Sequence, residues 1–398
     1  MSTSFDAATA YLVDRNESKT ARQAARYVVP EPGTRHVRRF AQLRALLRLE
    51  SMHQNGASVS LTEKNDPIMA SIFFLFGEAH RRRRGAIIGF FTPQAVKERH
   101  LPIMTRTADD LMAEFRRNGR ARLDDMSSRL TGRVVAEIIG LTETPLKQIF
   151  RRVEGANTTA DVWRGGLRKL LAPIKSRYYG LSFFLRDVKP AIAARRRQRR
   201  DDLISKLLDE GRSDMEILVE CSTFALAGLG TTREFIVVAA WHMFGNEELR
   251  RRFMEGEQSE QLAILMEILR LEPQASMIYR TAVELVSGTL AEDIAEGERI
   301  SLNIREANLD EEAVGAEPWR IDPDRAKKHK NNGAWMSFGD GIHTCPGWQV
   351  ALHESRVFLE RLFKVPGVRL VRVPDVEWTP PMLQSYQLVN AVVECDPA

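Results

Sequence analysis

Cysteine is scarce: Cys221, Cys345 and Cys395 are the three in 398 residues. They are odd in number and far apart, which argues against a disulfide framework and a clustered-thiolate zinc site. The expected compartment is a reducing cytoplasm. No charge-free apolar run reaches the ~20 residues of a membrane span. The best candidate, CSTFALAGLGTT, is short and lies between Glu220 and Arg233. The N-terminus, MSTSFDAATAYLVDRNESKT, has no basic stretch followed by an apolar one, so no signal peptide is expected. Internal repeats and low-complexity linkers are also missing.

What is present is a chain able to bury a large core, with 43% hydrophobic and 28% charged residues. One large domain or two intimate ones fit this length. The net charge is +5, with arginine clusters at 81–84 (RRRR) and 195–200 (RRRQRR). A nucleic-acid reading would need a recognised module or interleaved aromatics, and neither is present. The clusters read either as solvated helix faces or as a docking surface for an acidic partner.

Helical periodicity covers most of the chain. LTGRVVAEIIGL carries one apolar face, and KPAIAARRRQRRDDLISKLLDEG reads as one long charged helix closed by Gly211. EILVECSTFALAGLGTTREFIVVAAWHMFG is apolar nearly all round and should run through the core. EQLAILMEILRLEP is a helix ended before Pro273, and the stretch after it suggests short strands. Residues 310–335 read as a long irregular loop, uncommon unless it serves a purpose. The sum is a mainly α protein with a small β region.

The stretch FGDGIHTCPG, Phe338 to Gly347, holds a lone cysteine in a glycine-rich turn ahead of the amphipathic WQVALHESRVFLERLF. A thiolate there would be stabilised by the helix N-terminus. Gly341 and Gly347 would let the backbone pass close to something flat. A single soft sulfur suits one axial bond to haem iron; the alternative is a buried, inert cysteine. Haem also carries two propionate carboxylates that need cationic partners. His80 and Arg84 share a helix face, His343 lies two residues before the cysteine, and Arg280 sits in a strand candidate. Singly, each is more often a surface or satisfied residue.

Together these motifs resemble the cytochrome P450 family of haem-thiolate monooxygenases, of the soluble bacterial kind. Phe338, Gly341, Cys345 and Gly347 match its F-x-x-G-x-x-x-C-x-G loop. Glu267 and Arg270 match its E-x-x-R helix, His80 and Arg84 an H-x-x-x-R pair, and Ala227, Gly228, Thr231 and Thr232 its A-G-x-x-T-T distal helix. The resemblance implies a single P450 domain over 1–398, triangular and helical and enclosing haem b, with 1–34 loosely matched. It makes Cys345 the metal ligand. It places Phe338, Gly339 and Gly347 beside the cofactor, Ala227 and Gly228 opposite, and His80, Arg84, Arg280 and His343 on the propionates. Glu267 and Arg270 would form a buried ion pair with Arg320. Thr231, Thr232 and the Gly230 slot would serve catalysis. Phe224, Ala275, Ser276, Met277, Ile278, Ser385 and Tyr386 would line the substrate pocket, parts of 55–75 would form a lid, and 158–185, with Trp163, would cover the entrance.

The implied reaction inserts one atom of dioxygen into a hydrophobic small molecule. No flavin or nicotinamide fingerprint is present, so a ferredoxin with its reductase is the expected electron source. Arg81–Arg83, Lys327, Lys328 and Lys330 are the candidate docking charges. No nucleic acid and no membrane span are expected, and the chain should be a monomer. Gly230 departs from the family, which places an acid there to relay protons to dioxygen. Glu234, one turn on, could substitute through water. The choice is between a water-based relay and altered chemistry, peroxide-driven or non-hydroxylating. A haem sensor is the non-enzyme alternative, though no output domain is visible.

Overall fold

The structure is a computed structural model that describes residues 18–55, 70–158, 161, 165–331, 333–379 and 384–396. The expected lid segment falls mostly outside these residues, as does Trp163. Helix dominates, with 61% helix against 11% strand.

The helices that build the site are α1 (Phe40–Arg48), α2 (Gly77–Ile88), α3 (Leu101–Asn118), α4 (Leu123–Ile139), α5 (Leu146–Ala156), α6 (Gly166–Phe183), α7 (Asp214–Gly245), α8 (Gln258–Leu271) and α9 (Trp348–Phe363). The strands are β1 (Arg35–Val37), β2 (Met52–Asn55), β3 (Arg120–Arg122), β4 (Met277–Ala282), β5 (Arg299–Asn303), β6 (Arg369–Arg372), β7 (Asp375–Thr379), β8 (Ser385–Val389) and β9 (Val392–Glu394). They form three small sheets, ordered β1-β5-β4-β2, β3-β9-β6 and β7-β8.

The near-continuous apolar run forms α7, whose 32 residues span about 48 Å at helical rise. It begins with a capping box: Ser213 Oγ accepts from the Glu216 N–H, and the Glu216 carboxylate accepts from the Ser213 N–H. Its length and apolarity would suit a membrane span. Here the helix runs through the larger core instead, with Ile236 to Ala240 fully buried. α4 packs directly on it: a Cβ on Gly228 would stand 2.6 Å from Val135 Cγ2, so glycine sets that approach. A second, smaller core, including Leu43, Met52, Ile300, Leu302 and Trp335, lies against the β1-β5-β4-β2 sheet.

Two expectations are corrected. The stretch read as one charged helix is broken into Lys189–Arg197 and Leu203–Asp209. Asp202 breaks it, accepting from the Ser205 N–H at 2.8 Å as the N-cap of the second piece. The arginine clusters are not uniformly solvated faces. Arg195 is buried and donates to Asp202, Glu143, Thr142 and the Gly140 carbonyl. Arg83 is buried against Glu220 of α7, which removes it from any docking surface.

Candidate active site

The loop before α9 is shaped by its glycines. Gly339 and Gly341 have φ of +71° and +72°. A Cβ on Gly341 would stand 2.3 Å from the Leu47 carbonyl oxygen at the end of α1, so no other residue fits. Asp340 locks the turn by accepting from the Gly341 N–H and pairing with Arg44 and Arg48. The Cys345 N–H donates to the Phe338 carbonyl at 2.9 Å, which closes the loop.

Burial raises the Cys345 thiol, while the Gly347 N–H bonded to the sulfur and the nearby Arg84 charge pull the other way. Surface nevertheless stays accessible along this loop and around Leu226–Thr231 in the middle of α7, whereas the turns that follow, Glu234 to Ala240, are buried. Leu226 is 48% exposed in a helix that otherwise forms the core. No atom lies within 4 Å of where a Gly230 Cβ would stand.

Cations gather beside the sulfur. Arg280 of β4 is buried and donates to the carbonyl of its neighbour Tyr279 at 2.9 Å. Burial alone pushes it down to about 10. His343 is pushed down to about 3 by burial and by Arg280, His80, Arg84 and His53. Its Nε2 is buried with no hydrogen-bond partner among the described residues. The His80 and His343 rings lie 4.5 Å apart, and Phe76 meets His343 edge-on at 4.9 Å. Arg84 donates to the Thr344 carbonyl, tying α2 to the loop. Buried cations ordinarily carry an anionic partner. No described carboxylate supplies one to Arg280, so the cluster has the donors that two propionates require. A lone thiol, glycines that bring backbone close, and unpaired cations at the rim fit haem.

The loop is clamped from below. Arg270, fully buried, donates to both Glu267 oxygens and to the carbonyls of Asn308, Pro318 and Arg320. The third member of the ion pair is Arg325, not Arg320. Arg325 Nε lies 3.0 Å from Glu267, and its other nitrogens reach the carbonyls of Val314, Ala316, Glu317 and Arg320. The turn over 317–320 points the Arg320 guanidinium outward to Glu317, so only its carbonyl enters the cluster. Asn308 carries the clamp to the loop, accepting from the Met336 N–H and donating to Ser337 Oγ.

On the distal wall, Thr231 Oγ1 donates to the Ala227 carbonyl at 2.7 Å, while Thr232 is buried beside it. Glu234 does not replace the missing acid. One carboxylate oxygen accepts from the Leu388 N–H of β8 at 2.6 Å and the other from Arg233. Burial raises it to about 7 against those two partners. Gly228 faces Val135 rather than the cofactor side.

Among the expected pocket residues, Phe224, Ala275, Ile278 and Ser385 keep accessible surface. Ser276, Met277 and Tyr386 do not, being fully or almost fully buried. Alternation along β4 turns Met277 inward, and the Tyr386 hydroxyl is held by Gln274 and the Glu272 carbonyl. Sequence reasoning missed His53 of β2, whose ring stacks on Phe76 at 3.7 Å. It lies in no motif, and only strand pairing brings it near.

A family profile, Cytochrome P450, matches residues 262–371, which spans α8, the clamp and the Cys345 loop. The biotin biosynthesis cytochrome P450 of Bacillus subtilis is 27% identical over 309 residues, covering 75% of this chain and 73% of that one. The steroid C26-monooxygenase of Mycolicibacterium smegmatis is 25% identical, covering 82% and 80%. The crystal structure of P450BioI in complex with an acyl carrier protein ligated with hexadec-9Z-enoic acid shares the fold. Its TM-score is 0.76 at 22% identity, over 90% of this chain and 92% of that one. With the geometry above, the chain belongs to the cytochrome P450 family of haem b-dependent monooxygenases.

Proposed function

We propose that the chain oxygenates a hydrophobic small organic substrate, using electrons from an external ferredoxin-type donor and its reductase, with Cys345 as the thiolate on haem iron. The observation that carries this is the cluster of buried and half-buried basic side chains, two arginines and two histidines, that meets no described carboxylate beside that sulfur. His80, Arg84, Arg280 and His343 would hold the propionates. Phe338, Gly339 and Gly347 would lie against the macrocycle, with the Gly347 N–H tempering the sulfur's charge. Bound haem supplies the oxygen chemistry, in which one atom of dioxygen enters the substrate and the other leaves as water.

The protein's own residues orient, exclude water and handle protons. With its hydrogen donated to Ala227 O, Thr231 Oγ1 keeps lone pairs with which it would accept from a water. Gly230 offers no carboxylate, and both Glu234 oxygens are engaged elsewhere. Protons would therefore come along water. A second reading, peroxide-driven oxidation, is favoured by the same gap at Gly230. Phe224, Ala275 and Ile278 support an apolar substrate. Two proteins similar to this chain, a steroid C26-monooxygenase and a P450 solved with an acyl carrier protein carrying hexadec-9Z-enoic acid, support it too. Arg81, Arg82, Lys327 and Lys330 are exposed and suited to an acidic donor.

The test is the CO-difference spectrum of dithionite-reduced protein, followed by product formation with a ferredoxin and reductase or with peroxide. A long-wavelength thiolate band with ferredoxin-driven turnover supports the reading. The same band with turnover on peroxide alone selects the second reading. A protein lacking the thiolate band overturns the assignment of Cys345.

A further inference from the structure

Helix α6 carries a feature that neither the haem site nor the clamp uses. Leu167, Leu170, Leu171, Ile174, Tyr178 and Leu181 are 47–72% exposed. At 100° per residue all six fall within an arc of about 100° on one face. Single exposed leucines are ordinary, but a continuous stripe of this length is not.

The stripe does not come from a misplaced helix, because the opposite face is anchored. Ala172 and Phe183 are buried, and Ser176 Oγ donates to the Ala156 carbonyl at 2.9 Å. Gly155 of α5 lets the Tyr179 ring approach so closely that a Cβ there would stand 2.6 Å from it. With the inner face fixed in this way, the apolar stripe points out.

Charge says what it meets. Between Gly166 and Lys189 the cations are Arg168, Lys169, Lys175, Arg177, Arg186 and Lys189, and the sole carboxylate is Asp187. Asp187 is buried and paired with Arg152, so it presents no negative charge outward. Asp161 neutralises Lys175. Arg177 and Arg168 lie about 20° and 60° beyond the two edges of the stripe, exposed and with no ion pair among the described residues. Two copies meeting stripe to stripe would bring these cations together, which opposes a symmetric dimer. An apolar face edged by arginine and lysine is the pattern of a helix lying in a lipid interface.

We propose that α6 docks this protein on the surface of an anionic phospholipid bilayer, with the stripe in the acyl boundary and the basic edges among the headgroups. The chain would lie on the membrane and not span it, since its long apolar helix is spent in the core. The proposal stands apart from the oxygenation reading and needs no substrate to be tested.

The experiment is flotation of the haem-loaded protein with phosphatidylcholine vesicles and with vesicles containing about one-third phosphatidylglycerol. Binding to the anionic vesicles that weakens with salt is expected. Arg168→Ser with Arg177→Ser should weaken it by roughly five-fold per charge removed. Leu170→Glu with Ile174→Glu should abolish it while leaving the Soret band and circular dichroism unchanged. Absence of binding to either vesicle overturns the proposal, as does binding that survives the glutamate pair. A dimer formed without vesicles and dissolved by that pair would overturn it in favour of a second copy.

Discussion

The two sides of the candidate site are built in opposite ways. The cysteine wall is cross-linked: Arg270, Arg325 and Glu267 form a buried cluster that ends on six backbone carbonyls, and Gly341 sits hard against the end of α1. The distal wall is a plain helix with small residues at its middle, one internal threonine bond and open space at Gly230. One side is held fixed, and the other has open space at its middle. Rigidity follows saturated hydrogen bonding, and space follows glycine and alanine.

The sharpest way to break this contrast is at the sulfur. Cys345→Ser should abolish the thiolate-type CO band completely, and a persisting band would reassign the ligand. Next is the clamp. Arg325→Leu should destabilise the protein by about 3–5 kcal/mol and speed haem loss, because Glu267 keeps a buried charge with one partner fewer. Arg320→Leu should cost under about 1 kcal/mol, because its guanidinium is an exposed partner of Glu317. Equal losses from the two in urea melts would contradict the assignment of Arg325.

Glu354, inside α9, is pushed up to about 8 by burial alone, and its Oε1 has no partner. The folded state therefore holds a proton that the unfolded chain releases above its ordinary value of 4.5. Stability should fall as pH rises from about 4.5 to about 8, by on the order of 2–4 kcal/mol. Glu354→Gln should remove that slope, which thermal melts at pH 5 and pH 8 would read. The smallest effect belongs to the distal wall. Gly230→Asp has room for its side chain and should raise product formed per electron consumed by up to a few-fold if protons now travel by water. Unchanged coupling would mean that the water route already suffices.

The cysteine wall was largely legible in the sequence because its parts are local: glycine spacing, a thiol and a helix start. The α8 ion pair is an i,i+3 pair on one helix and was legible for the same reason. The third cation was not, because a turn in an irregular segment decides which arginine faces inward. Met277 and Tyr386 were misplaced because strand parity, invisible without pairing, turns each side chain in or out, and Ser276, just ahead of β4, because its hydroxyl turns back to the Pro273 carbonyl. Glu234 was ambiguous until β8 supplied its partner, and His53 needed the pairing of β2 with β4. Patterns confined to one element could be read. Contacts made by long-range pairing could not.

Glu234 also joins two parts of the molecule mechanically. Three residues past Thr231, it pins α7 to the Leu388 amide of β8. A push on α7 between Leu226 and Gly230 would therefore act on a stiff rod close to a fixed point. The C-terminal β7-β8 hairpin would be the fulcrum, and the longer, N-terminal arm of α7 would take up the larger share of any displacement.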